Sequence, residues 1–274
     1  MNSRFMDVHG LAEGGDVLLV AGDAGYLGRC RTESHHFFDW CSRHFAETVI
    51  VPGNHEYYRD PFARDGRQDG MDVADTLVNY ERLLRPNVRY LNNRSLRLGD
   101  VEVFATTLWS AVPKDHWTAV ENGMNDCQQI RYEGHRLRAS DFIEIHGICR
   151  VWLDSALRES QAPHKIVLTH HCPTIRREFD RYAPSSPLYG AFHADMEDFI
   201  AGHGIDVWVY GHTHWNGGSG TVFPSEKETG TILLCNQLGY MLYNEDKNGY
   251  RRDAYLKCEI DGGVNFGMSK PYFL

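Results

Sequence analysis

Four short apolar runs each stop abruptly at a metal-ligand type of residue, and this constrains the chain more than any other feature. They are Val17-Leu18-Leu19-Val20-Ala21 before Gly22-Asp23, and Thr48-Val49-Ile50-Val51 before Pro52-Gly53-Asn54-His55-Glu56. The third is Lys165-Ile166-Val167-Leu168-Thr169 before His170-His171. The fourth is Asp206-Val207-Trp208-Val209-Tyr210 before Gly211-His212-Thr213-His214. Short apolar runs bounded by turn residues read as fully buried strands. Polar groups released directly after the last apolar residue are what open α/β sheets deliver at the carboxyl ends of their strands. A chain built this way has a sheet at its centre and a polar site where the strands end.

The rest of the pattern fills in around those strands. Helices are expected over residues 33–46, 71–84, 141–158 and 194–202, the third from Phe142, Ile145, Ile148, Trp152 and Leu153 at near-helical spacing. Further strands are expected at 88–91, 95–98, 101–106, 231–235, 238–243 and 252–258. Residues 57–70, 110–140 and 174–193 read as loop or cap insertions, the middle one irregular, since long loops in compact domains tend to be functional or disordered. No repeat or linker divides residues 1–274, so the expectation is one α+β domain around one core.

Composition narrows the function classes. No apolar stretch approaches the roughly 20 residues of a membrane span. Met1-Asn2-Ser3-Arg4-Phe5-Met6-Asp7 has no apolar core of a secretory signal, which leaves a cytoplasmic location as the expectation. A formal net charge of −9 argues against a nucleic-acid partner. It does not exclude an anionic substrate, because bound divalent cations invert the local field. The seven cysteines are scattered, with no pair at CxxC spacing, which fits reduced thiols packed as small apolar groups.

Aspartate, asparagine and histidine together suit borderline or hard divalent ions. Asp23 follows a glycine that lets the backbone turn sharply, and its two carboxylate oxygens can bridge two ions. Asn54 offers a neutral carbonyl oxygen. His170 and His212 each stand just past a strand, and His212 and His214 would share one side of an extended segment by the period of two. His55, beside Asn54, reads as a general acid, since an imidazole titrates nearest neutrality. Its alternative is an imidazole that only orders the loop. His171 reads as a support or a substrate-facing group.

Ala21-Gly22-Asp23, Gly53-Asn54-His55-Glu56, Thr169-His170-His171 and Gly211-His212-Thr213-His214, in that order, resemble the motifs of the calcineurin-like metallophosphoesterases. Asn236-Gln237-Leu238-Gly239-Tyr240 resembles a segment that follows the last metal loop in a bacterial subgroup of that family. The resemblance implies a four-layer α-β-β-α sandwich and a dinuclear site. In that site Asp23 would bridge the ions, Asn54, His170 and His212 would complete one shell, and His214 would belong to the other. Glu56 would be a supporting residue. The other ion also expects an Asp-x-His motif after a first strand. Asp7-Val8-His9 has the letters, but polar Asn2, Ser3 and Arg4 make a poor buried strand, and the run to Asp23 is short. The expectation is therefore that the first strand and its motif are missing.

With an intact site, the expected function is hydrolysis of a small phosphate monoester or diester by a metal-activated water. Mn²⁺, Fe²⁺, Zn²⁺ and Ni²⁺ all remain open as the cofactor. Two alternatives stand beside it: a truncated, weakly active phosphoesterase retaining one ion, and a noncatalytic scaffold on the same fold. Arg59, Arg131, Arg136 and Arg176 are candidates for substrate oxygens or for surface ion pairs. Tyr57, Tyr58, Trp109, Trp117 and Tyr182 would either stack on a nucleotide-like substrate or pack the loops. The oligomeric state stays open.

Overall fold

The computed structural model describes residues 15–25, 33–58, 85–181, 185–252, 254–259 and 263–268. Asp7 and His9, the helix expected over 71–84, Arg59, Tyr182 and nearly all of 57–70 lie outside the described residues.

The apolar runs form two sheets, and most of their strands are buried on both faces. Strands β1 (Val17–Val20), β2 (Glu47–Ile50) and β3 (Val88–Tyr90) make a parallel sheet in that order. The others are β4 (Arg94–Leu98), β5 (Val101–Thr106), β6 (Arg131–Tyr132), β7 (His135–Arg136), β8 (His164–Thr169), β9 (Val207–Val209), β10 (Thr221–Phe223) and β11 (Thr231–Leu234). Six of these form a second sheet in the order β10-β11-β9-β8-β5-β4, parallel through β11-β9-β8-β5 and antiparallel at both edges. β6 pairs with β7, and β12 (Ala254–Glu259) with β13 (Gly263–Met268), as separate hairpins.

Alternate residues point to opposite layers. Val49, Val51, Val103, Ala105, Ile166, Leu168, Val207 and Leu234 form the core between the sheets, with Leu19 and Ala21 packed against it. Ile50, Val88 and Tyr90 face outward onto helix α1 (Glu33–His44), which brings Phe37, Phe38, Trp40 and Cys41 at i, i+1, i+3 and i+4. Phe104, Val167, Trp208 and Leu233 face the other way, onto Leu153 and Leu157 of α4 (Ala139–Glu159) and Phe199 and Ile200 of α5 (Glu197–Ala201). Each such aromatic or leucine side chain contributes roughly 1.5–3 kcal/mol of burial. Helix, sheet, sheet, helix is the expected four-layer order. β1 is only half buried, with Val17 exposed, and among the described residues it pairs on one side only, with β2.

Two local expectations are corrected. Residues 110–140 are not irregular: they hold α2 (Trp117–Gly123), α3 (Asn125–Gln129) and the β6–β7 hairpin. Val112, Val120, Met124, Cys127, Ile130 and Leu137 from this segment join Trp109, Phe142 and Ile145 in a further core cluster. Residues 238–243 are not a strand. Gly239 turns with φ 66° and Tyr240 N–H donates to the Glu245 carboxylate at 2.7 Å, so the chain coils into a short 3-10 turn, Met241–Tyr243.

Candidate metal centre

Strand register brings the motifs together before any side chain is considered. Val20 lies opposite Ile50, so the turns after β1 and β2 emerge side by side. Leu168 lies opposite Val209, and Gly211 N–H donates to His170 O at 3.0 Å, so the ends of β8 and β9 do the same. The site therefore sits where one pair of strand ends from each sheet meets the other.

The turns touch so closely that no side chain fits between them. A Cβ on Gly53 would lie 2.2 Å from Asp23 Oδ1, and one on Gly211 2.7 Å from Ala21 O. Glu56 ties the first two turns: its carboxylate, fully buried, accepts from Asp23 N–H at 3.0 Å, Gly53 N–H at 2.7 Å and Gly25 N–H at 3.2 Å. Burial, then the neighbouring Asp23 charge, pushes the Glu56 pKa up to about 8, with those N–H groups opposing. Asp23 itself adopts a left-handed φ of 57°, which aspartate tolerates better than most residues.

Four atoms of metal-ligand type converge. His170 Nε2 lies 3.0 Å from Asn54 Oδ1, 3.0 Å from His212 Nδ1 and 3.5 Å from Asp23 Oδ1. His170 Nδ1 lies 2.6 Å from Ala21 O, a contact only its N–H can make, which turns Nε2 toward the other three. Asp23, His170 and His212 form a group able to hold a metal ion, with their ligand atoms all within 4.8 Å of one another. The donor set of imidazole, carboxylate and amide oxygen fits a borderline divalent ion. Electrostatics agree. Burial would raise the Asp23 pKa, but the His170 and His55 imidazoles outweigh it and hold the carboxyl below its ordinary value. Burial, and after it the crowding of the His171 and His170 imidazoles, drives His212 well below 6.5.

The backbone that carries His214 differs from the expectation. The Gly211–His214 segment is not extended: Thr213 N–H turns back to Gly211 O at 2.9 Å, and His212 and His214 adopt left-handed φ values of 71° and 51°. His214 Nδ1 pairs with Glu245 Oε2 at 2.7 Å, and its N–H with Gln237 Oε1 at 2.7 Å. Glu245 is fixed in turn by the Arg181 guanidinium. A carboxylate on the far nitrogen of an imidazole is a common way to orient a metal-binding histidine.

His55 N–H donates to Asp23 Oδ1 at 3.0 Å. Its Nε2 lies 3.0 Å from the Tyr240 hydroxyl and 4.0 Å from Asp23 Oδ2. Its ring stacks on Tyr58, with centroids 4.4 Å apart. His171 is fully buried and stacks on Trp109; its Nδ1 is 3.2 Å from Thr107 O and its Nε2 has no hydrogen-bond partner. Burial, then His170, keeps it well below 6.5, so it lines the site from behind. Leu108 and Trp109 are consecutive left-handed residues, with φ 68° and 54°, held by His146 Nδ1 on Leu108 O at 3.0 Å. Such strain persists only where the surroundings over-determine it.

Tyr57, Tyr58 and Trp109 are buried in the cluster around Phe142, so they pack the interior and offer no face to a base. Arg176 pairs with Glu197 at 2.6 Å, the ion-pair alternative. Asp126, Tyr58, Glu245 and Tyr240 also shape the site. Of these, sequence reasoning missed Asp126 and Glu245 altogether, and gave Tyr58 and Tyr240 no such part. Val120, Met124 and Cys127 join the core around Asp126, but the chain is extended at Met124, so no single helical period marks the segment.

The sequence profile of the calcineurin-like phosphoesterases matches residues 3–216, and the chain belongs to that family. A protein of Acanthamoeba polyphaga mimivirus, described as uncharacterized protein L509, is 26% identical over 234 residues, 81% of this chain and 78% of its own. A crystal structure described as the phosphopantetheinyl hydrolase PptH of Mycobacterium tuberculosis superposes with a TM-score of 0.60 at 16% identity. It covers 94% of this chain and 87% of that one, and shares the fold. Among the described residues, no helix is long and apolar enough to cross a membrane.

Proposed function

We propose that the chain hydrolyses a small phosphate ester, monoester or diester, with the help of a divalent ion. The convergence of Asp23 Oδ1, Asn54 Oδ1, His170 Nε2 and His212 Nδ1 carries this reading. Those four residues would hold the ion, and Asp23 Oδ2 with His214 would serve a second. A bound divalent ion supplies Lewis acidity toward a phosphoryl oxygen and a nucleophilic water at neutral pH. The chain's own part is to place and protonate. Asp23, fixed by the His55 N–H, keeps its negative charge in the site. His55 Nε2, at the rim and partly open to solvent, donates a proton to the leaving oxygen, with Tyr240 and Tyr58 setting the ring plane. The fold shared with a hydrolase supports hydrolysis over a scaffold role. The free, buried Cys41, Cys127, Cys149, Cys172 and Cys235 support a reducing, cytoplasmic setting.

A second reading is a weakly active enzyme with one ion. Its support is that a single metal-binding group, Asp23, His170 and His212, is found among the described residues. Turnover of an aryl phosphodiester and an aryl phosphomonoester after loading with Mn²⁺ tests both readings. The first expects chelator-sensitive turnover that falls about 10²–10⁴-fold in His55→Ala. Slow turnover insensitive to His55→Ala favours the second, and no turnover of either ester by the loaded protein overturns the first.

A further inference from the structure

Asn54 is the only amide in the cluster, and a primary amide has two ends of nearly the same shape. Turned one way, it points an oxygen lone pair at the other three acceptors. Turned the other way, it points two hydrogens there and repels a cation. What selects the first orientation lies behind it. Asn54 Nδ2 donates to Asp126 Oδ1 at 2.7 Å, and the same oxygen accepts from the Tyr58 hydroxyl at 2.5 Å. Asn54 Nδ2 is also 3.3 Å from the Tyr58 oxygen, which closes the three groups into a ring. Asp126 is fully buried, on α3, and among the described residues its Oδ2 has no hydrogen-bond partner.

We propose that Asp126 is a positioning residue for metal binding, locking the Asn54 amide with its oxygen toward the ion. The inference rests on Asn54, Asp23, His170 and His212 being the ligand set. The chemistry is specific to a carboxylate. Turning the amide would bring its carbonyl oxygen 2.7 Å from Asp126 Oδ1, oxygen against oxygen, and would aim its N–H hydrogens at the place an ion would occupy. A group meant only to anchor α3 to the loop after β2 has no need to be a buried carboxylate, whose desolvation is costly. Tyr58 reinforces the choice, because its hydroxyl donates to Asp126 while its ring stacks on His55. The lock thus joins the amide ligand and the proposed proton donor to one buried oxygen. It also gives the segment 110–140 a direct part in the site, from a residue 72 positions along the chain from Asn54.

The test is a double-mutant cycle in Co²⁺ affinity, by competitive titration of the whole chain. Far-UV circular dichroism confirms that each variant is folded. Asp126→Ala is expected to weaken binding about 10–100-fold, the usual effect of losing a partner behind a ligand. On an Asn54→Ala background the same substitution is expected to change affinity little, because no amide remains to orient. The visible absorption of Co²⁺ in Asp126→Ala should resemble that in Asn54→Ala more than that in the wild type. If Asp126→Ala does not fold, isosteric Asp126→Asn replaces it, with a smaller loss and the same dependence on Asn54. Wild-type affinity in the Asp126 variants, or an equal loss with and without Asn54, overturns the inference while leaving the ligand set standing. A wild-type chain that binds no Co²⁺ overturns the ligand set itself.

Discussion

Gly22 shows how little room the centre leaves. Its φ is 83°, and a Cβ there would lie 2.5 Å from His170 Nδ1 and 2.6 Å from Gly53 N. Both the left-handed backbone and the contact between turns exclude a side chain. Gly22→Ala is expected to cost more than about 2 kcal/mol in urea unfolding of the metal-free chain; an unchanged midpoint would mean that the turns do not meet as described. The same compactness explains which residues were legible. Asp23, Asn54, His170 and His212 each stand in the turn after a strand, so the apolar runs and the ligand chemistry of the residues after them marked them together. Asp126 and Glu245 are carboxylates in mixed polar stretches, and they act on partners 72 and 31 residues away. Nothing local distinguishes them from solvated acids. The extended conformation expected of His212 and His214 was not legible, because a His-x-His spacing implies a shared face only in extended backbone, and here the backbone turns.

Elements were legible where one period dominated. The strands β1, β2, β8 and β9 stand out as apolar runs, and α1 and α4 as amphipathic stripes. The segment 110–140 was obscured because its two helices are seven and five residues long, and Gly123 interrupts the spacing of Val120, Met124 and Cys127. Its packing against α4 has a measurable consequence. Phe142 is fully buried and meets Trp109 edge-on at 5.3 Å, and Trp109 in turn stacks on His171. Phe142→Ala is expected to lose about 3–5 kcal/mol of unfolding free energy, measured by urea denaturation. A loss below about 1 kcal/mol would mean that this cluster is not core.

At the scale of the whole molecule, the layers follow from strands buried on both faces, but the membership of the two sheets does not. No residue pattern says that β3 joins β2 while β4 joins β5; that pairing is settled by which faces can be buried together. Stability also acquires a pH dependence from the interior. Burial holds His193 at about 4, against an ordinary value of 6.5, with the Tyr189 carbonyl at Nδ1 opposing. Between those values the unfolded chain binds a proton that the folded chain refuses. The contribution of this group is therefore present above about pH 6.5 and is lost as pH falls toward 4. The shift is worth roughly 3 kcal/mol at about 1.4 kcal/mol per pH unit. His193→Gln is expected to flatten the fall in urea stability over this window; a parallel pH profile would contradict it. The central claim, that four strand ends build a metal centre, is tested most directly by a crystal structure of the chain soaked in Zn²⁺ and read by anomalous scattering. The account predicts an ion bonded to Asp23 Oδ1, Asn54 Oδ1, His170 Nε2 and His212 Nδ1 at about 2.0–2.2 Å. Anomalous density found only elsewhere, with those four atoms bare, would contradict it.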